Sequence, residues 1–177
     1  MVIAMLFWRR KKSIPSHEAD WIRIQAPFSG KTVPLTEVPD PVFAQKMVGD
    51  GVAILPESDR LLSPVAGTLT HLFPTGHAAG ITTDEGLEIL VHIGMNTVEL
   101  KGDGFTVLAT PGKRVEVGEP IIRIDLEKLQ RTAKSMMSPV VVTNMDRVEK
   151  IKPAASSVVQ AGTDELLRVL PKPPKDQ

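Results

Sequence analysis

The chain has 177 residues, with 21 Lys plus Arg against 21 Asp plus Glu, so its formal charge near neutral pH is zero. That length is enough for a proper core and favours one domain, and the even charge provides no global basic field to draw nucleic acid. With no cysteine, the chain has no disulfide, no thiolate nucleophile and no cysteine-based zinc site. Fifteen prolines and thirteen glycines interrupt the chain every few residues, and long helical periods are scarce. Many short strands joined by turns is the predicted architecture.

Residues 1–12, Met-Val-Ile-Ala-Met-Leu-Phe-Trp-Arg-Arg-Lys-Lys, stand apart. The apolar run is too short to span a bilayer, and its basic cluster follows it, the reverse of a secretory signal. Apolar residues beside four cations suit peripheral contact with an anionic membrane surface; a frayed tail is the plainer reading. Residues 1–20 are therefore expected to form a flexible, membrane-associating or simply frayed tail, 21–171 the folded domain and 172–177 a C-terminal tail.

Trp21-Ile-Arg-Ile-Gln-Ala26 alternates as a half-buried strand does, and Pro27 ends it. Ala26-Pro27-Phe28-Ser29-Gly30 is echoed by Ser63-Pro64-Val65-Ala66-Gly67, which suggests two related β units packed together; a shared strand–turn habit would produce the same echo. Asp40 to Gly49 reads as a compact helical turn, with Asp40 as cap, Pro41 at the first helical position and Gly49 at the exit. Val42, Phe43 and Met47 make an apolar patch on it, explained either by core packing or by a docked partner.

From His77 to Phe105, two apolar-leaning runs flank Asp84-Glu85-Gly86, the pattern of a β-hairpin with a histidine on each arm. If Asp84 and Glu85 form a two-residue loop, His77 stands directly opposite His92, Cβ atoms about 4.5–5.5 Å apart. A type I turn closed by Gly86 as a bulge slips the register by one residue. Further on, Pro111 to Pro120 and Ile-Ile-Arg-Ile read as turn, strand, turn, strand. Asp125 caps a short helix over about 126–134, with Leu126 and Leu129 on its apolar side. Ser138-Pro-Val-Val-Val-Thr143 is a buried-looking strand and Glu165-Leu-Leu-Arg-Val-Leu170 the last one.

Of the four histidines, His17 lies in the tail and His71 on a strand with no obvious partner, so both read as structural or solvated. His77 and His92 gain weight together, with the Thr75 hydroxyl nearby. No Gly-rich phosphate loop ending in Lys-Ser/Thr occurs, so nucleotide binding has no support. Three readings of the pair stay open. Both rings could be core residues satisfied by backbone. They could ligate zinc, although catalytic zinc usually takes three protein ligands and neither His-x-His nor His-Glu-x-x-His occurs. Or one imidazole attacks phosphorus through Nε2 while its Nδ1–H is held by a carbonyl, and the other donates to a phosphoryl oxygen.

Val91-His92-Ile-Gly-Met-Asn-Thr-Val-Glu-Leu-Lys-Gly-Asp-Gly-Phe105 resembles the signature of the glucose-type enzyme IIA domain of the bacterial sugar phosphotransferase system. The likeness continues in Val38 to Gly51, in Thr75-Gly-His77-Ala and in Lys134-Ser…Pro139-Val-Val-Val-Thr-Asn-Met-Asp146. It covers about residues 21–170.

The resemblance implies an all-β fold, an antiparallel β-sandwich or barrel-like duplicated hybrid motif with short helical turns. It implies a phosphotransferase in which His92 accepts phosphate at Nε2 from the phosphocarrier HPr, His77 hydrogen-bonds the phosphoryl group and Thr75 supports it. The phosphate then passes to a cysteine of an enzyme IIB domain of a sugar permease. Val42, Phe43, Val48, Phe73 and Val98 match the docking rim around a shallow, exposed His92. Asn96 stands where the family commonly has an aspartate, which puts partner electrostatics in doubt more than chemistry. No cofactor is expected, apart from a zinc ion at His77 and His92 shared with a partner; regulatory targets are further expected partners. The expected location is cytoplasmic, at or near the inner membrane face. The competing functions are a regulatory phospho-binding module that passes nothing on and a zinc-dependent hydrolase on a similar β scaffold.

Overall fold

Alternating apolar and polar residues, broken every few positions by Gly or Pro, turn most of the chain into short strands. The computed structural model describes residues 18–173; the expectations for residues 1–12, for His17 and for the end of the C-terminal tail lie outside the described residues. The strands are β1 (Ile22–Gln25), β2 (Gly30–Pro34), β3 (Asp50–Pro56), β4 (Arg60–Leu62), β5 (Gly67–Leu72), β6 (Ala78–Thr82) and β7 (Glu88–His92). They continue with β8 (Phe105–Val107), β9 (Arg114–Val115), β10 (Pro120–Ile124), β11 (Ser138–Val142), β12 (Val148–Pro153), β13 (Val158–Val159) and β14 (Glu165–Pro171). Two short α-helices, α1 (Pro41–Ala44) and α2 (Leu126–Thr132), interrupt them.

The strands pair antiparallel in three sheets, one of eight strands in the order β13-β2-β3-β11-β7-β6-β5-β9 and two of three, β1-β14-β12 and β4-β10-β8. The large sheet stays open at β13 and β9 rather than closing into a barrel, so the fold is a β-sandwich. β11 sits at its middle, and all five of its residues are buried. Val140 and Val142 join the main core with Phe28, Ile54, Ile81, Ile89 and Leu167. Val141 faces the other way, into a smaller cluster with Val33, Leu35, Phe43 and Met95. Burying a side chain of this kind stabilises the fold by about 1.5–3 kcal/mol, so a run of valines here reflects a strand covered on both faces.

The echo between residues 26–30 and 63–67 has a structural counterpart. Gln25 N–H donates to Pro64 O and Leu62 N–H to Pro27 O, both at 2.9 Å; Ala26 N–H donates to Asp164 O, as Ser63 N–H does to Glu119 O. Gly30 pairs with Val159 as Gly67 pairs with Val115. In the large sheet Gly51 opposes Val141 as Ala78 opposes His92. The strand order is therefore a palindrome about the β11–β7 seam, and each half repeats the other's register apart from a bulge in β5 between Leu69 and His71.

Three local expectations need correction. The hairpin takes the slipped register, with Ala78 opposite His92 and Thr82 opposite Glu88. Its loop is Asp84-Glu85-Gly86, closed by Gly86 N–H to Thr83 O at 2.9 Å, with Gly86 at φ 83°. That conformation costs glycine nothing, so a type I turn plus bulge prevails over the two-residue loop. Helix α1 is a single turn: Asp40 caps it, accepting from Val42 N–H at 2.9 Å, but the exit comes at Lys46, φ 58°, not at Gly49. Lys46 is held there by its ammonium on the Asp50 carboxylate at 3.2 Å. Helix α2 is capped by Asp125 as expected but stops at Thr132, because Ala133 is extended.

Candidate functional site

His92 is the last residue of β7, and His77 lies in the bend just before β6. In a continued ladder the slipped register would put the two on opposite faces of the sheet. Only the backbone of His77 keeps the ladder, its carbonyl accepting from Ile93 N–H at 2.8 Å. Outside the regular strand its side chain is released from the alternation. The two rings meet edge-on, centroids 5.3 Å apart at 70°.

Each ring has a fixed partner at Nδ1. In His92, Nδ1 lies 2.8 Å from Gly94 O. A carbonyl only accepts, so Nδ1 carries the proton, and the neutral ring keeps a lone pair on Nε2. In His77, Nδ1 lies 2.5 Å from Thr75 Oγ1. A threonine hydroxyl donating there leaves the proton on Nε2, so the second ring can donate.

Burial pushes both imidazoles below their ordinary pKa. For His77 the proximity of His92 adds to burial; for His92 the Gly94 carbonyl and then Asp40 pull the other way. Both rings are therefore neutral at neutral pH.

Apolar side chains frame the pair. Phe43 packs on His92 with centroids 5.3 Å apart, and Phe73 on His77 at 4.9 Å. Val42, Phe73 and Val98 are exposed, with Met47 the most open of the group at 71%, while Val48 is half-buried. Two placements differ from the expected picture. Phe43, 6% exposed, belongs to the floor beneath His92 rather than to the rim. His77 is likewise only 6% exposed, covered by Phe73 and by His92 itself, whereas His92 is half-buried. Asn96 is exposed and left-handed, φ 58°, a conformation that Asn and Asp adopt more readily than other side chains. The site's backbone thus accepts either residue. His71 is exposed on β5 and lies apart from the pair in the register.

Several supporting groups were not anticipated. Met95 N–H donates to Ser135 O at 2.8 Å, Gly94 N–H to Ser138 Oγ at 3.0 Å, and the buried Thr97 Oγ1 to Ile93 O at 2.6 Å. Lys134 Nζ reaches Pro39 O at 3.1 Å, next to the Asp40 cap. Apart from the local Thr97 bond, no periodicity announces these contacts, because they join stretches some 40 residues or more apart. Among the described residues, no group of three or more His, Cys, Asp or Glu comes together as metal ligands would. Nor is any helix among them long and apolar enough to cross a membrane.

Comparison with known proteins agrees with this geometry. Residues 22–148 match the family described as phosphoenolpyruvate-dependent sugar phosphotransferase system, EIIA 1. The glucose-specific EIIA component of Staphylococcus aureus is 45% identical over 148 residues, 84% of this chain and 89% of that protein. Its counterpart in Staphylococcus epidermidis is 44% identical over the same shares. The solved structure of glucose permease IIA from Mycoplasma capricolum superposes with a TM-score of 0.76 at 37% identity, covering 84% of this chain and 95% of that one. The chain belongs to the EIIA family of the phosphoenolpyruvate-dependent sugar phosphotransferase system and is a phosphocarrier component of such a system.

Proposed function

We propose that His92 Nε2 is the atom that carries the phosphoryl group, taken from a phosphohistidine of HPr and handed to a cysteine of an enzyme IIB domain. One observation carries this reading above the others: the Nδ1–H of His92 is spent on the Gly94 carbonyl at 2.8 Å, which leaves the Nε2 lone pair free on a half-buried ring next to a second imidazole. Attack of that lone pair on phosphorus forms the new P–N bond as the donor's P–N bond breaks. The donor ring, protonated on its other nitrogen, leaves as neutral imidazole, and His92 keeps its Nδ1 proton. One labile P–N bond replaces a similar one, so positioning and charge stabilisation make up the catalysis.

His77 is the donor to a phosphoryl oxygen, its Nε2–H set by the Thr75 hydroxyl at Nδ1. Val42, Val48, Phe73, Asn96 and Val98 are the contact surface for HPr and for the IIB domain, with Phe43 as its floor. The chemistry asks for no metal. A zinc ion held by His77 and His92 would have only two ligands from this chain and would draw the rest from a partner. HPr and the permease's IIB domain place the protein at the cytoplasmic face of the membrane. The relatives are named glucose-specific, and glucose is the first sugar to test, although selectivity belongs to the membrane partner.

Phosphoenolpyruvate, enzyme I and HPr should load the chain with one acid-labile, base-stable phosphate, which His92→Gln should not take up. Addition of a IIB domain should then discharge it. Phosphate on a residue other than 92 overturns the site. Phosphate that no IIB domain removes makes the protein a regulator instead of a carrier.

A further inference from the structure

The carbonyl that sets the His92 tautomer belongs to a glycine, the residue least able to hold its own peptide planes in place. Gly94 stands at φ 63°, and something outside its own loop must keep its carbonyl on Nδ1. The segment 135–138, which leads from α2 into the first residue of β11, does this at both ends of the residue. On the carbonyl side, the same peptide group places its Met95 N–H on Ser135 O at 2.8 Å. On the amide side, Gly94 N–H donates to Ser138 Oγ at 3.0 Å. The Ser138 hydroxyl has its own proton committed to Met136 O at 2.9 Å, so only a lone pair faces Gly94. Ser138 has no exposed surface.

We propose that Ser138 is a positioning residue for phosphoryl transfer: its buried hydroxyl locks the Gly94 peptide so that the Gly94 carbonyl holds His92 in the tautomer with a free Nε2. The inference rests on His92 being the phosphorylated residue. The hydroxyl acts through Gly94 and never meets the phosphate. A buried serine could serve merely to satisfy the Gly94 amide, which is a structural role. What distinguishes Ser138 is that the amide it satisfies and the carbonyl that orients the ring flank the same Cα. Loss of the hydroxyl unpins the Ile93–Gly94 peptide and leaves Gly94 held from the carbonyl side alone, by Ser135 O. The ring can then place its proton on Nε2, where no lone pair remains for attack.

The test compares the full chain with Ser138→Ala, Ser138→Cys and Ser138→Thr. Two measurements are made: the ¹⁵N shifts of the His92 ring well above its titration, and the rate of phosphate uptake as phospho-HPr is varied. Ser138→Ala should lower the Nδ1–H population and reduce kcat by about 10- to 100-fold with KM for phospho-HPr unchanged. Ser138→Cys, of similar volume but a poor acceptor, should do the same to a smaller degree even if the alanine variant folds badly. Ser138→Thr, which keeps the hydroxyl, should restore both. Unchanged ring shifts in the folded alanine or cysteine variant overturn the proposal, as does a rate loss without a tautomer change. Wild-type chain with no phosphate on residue 92 refutes the site reading instead, and the ring shifts still report whether Ser138 holds the tautomer.

Discussion

The two halves of the large sheet share one backbone plan and differ in what they put on it. In one half, β6 begins after His77 and β7 ends in His92, with Ala78 opposite His92. In the other, the matching pair is Gly51 of β3 opposite Val141 of β11, since Val52 and Ile54 face the main core there as Ala79 and Ile81 do in the first half. The position that His92 holds in one half is thus held by the buried Val141 in the other. The backbone register is a scaffold that tolerates either side chain. The difference lies in what surrounds it: beside His92 the chain adds a glycine carbonyl and a second imidazole, itself packed on Phe73. Around Val141 it adds only apolar core, among it Val33, Leu35 and Phe43.

The sharpest way to break this comparison is to give the active half its partner's residue. His92→Val should abolish phosphate uptake entirely while leaving stability within about 1 kcal/mol, because a β-branched residue already occupies the matching place in β11. Global unfolding of that variant would mean that the halves are not interchangeable scaffolds. Val142→Ala, in the silent half, should do the reverse. A cavity at a fully buried site costs about 1–3 kcal/mol, read as a lower urea midpoint, with phosphate uptake by the folded protein unchanged. A folded Val142→Ala chain that no longer takes phosphate would show the β11 end to be part of the site.

The third prediction concerns pH. Burial lowers the pKa of His77 and of His92, so below the ordinary imidazole value the unfolded chain binds more protons than the folded one. The resulting contribution to stability is present above about pH 6.5 and is lost as pH falls through the window beneath it, by at most about 1.4 kcal/mol per pH unit and ring. His92→Val should lose less stability than wild type over that window. An equal or larger loss in denaturant titrations would contradict the assignment of the effect to this ring. Smallest of all is the rim: Asn96→Asp should leave stability alone, since both residues suit its left-handed backbone, and speed uptake from HPr a few-fold at low salt only. A gain that survives high salt, or no gain at all, would rule out an electrostatic role.

Much of the fold was legible because it is local. Asp40 and Asp125 cap the helices that they precede, and residues 22–25, 138–142 and 165–171 form the strands that their apolar patterns demand. The paired histidines, too, stood out within a single hairpin. What stayed illegible depends on partners far along the chain or on a choice between nearly equal local alternatives. Two-residue and three-residue loops fit Asp84-Glu85-Gly86 equally well by composition, and the ladder between β6 and β7 selected the second.

By itself, then, the sequence determined that this is an all-β chain of short strands with two histidines flanking one turn, because caps, turns and alternation act over a few residues. Only the tertiary structure decided that those rings touch despite the slipped register, that Phe43 lies under His92, and that Ser135 and Ser138 clamp the Gly94 peptide. The physical reason is that each of these contacts closes a gap between segments whose separation in the chain carries no periodic signal, and only packing of the central strands brings them within hydrogen-bonding or van der Waals reach.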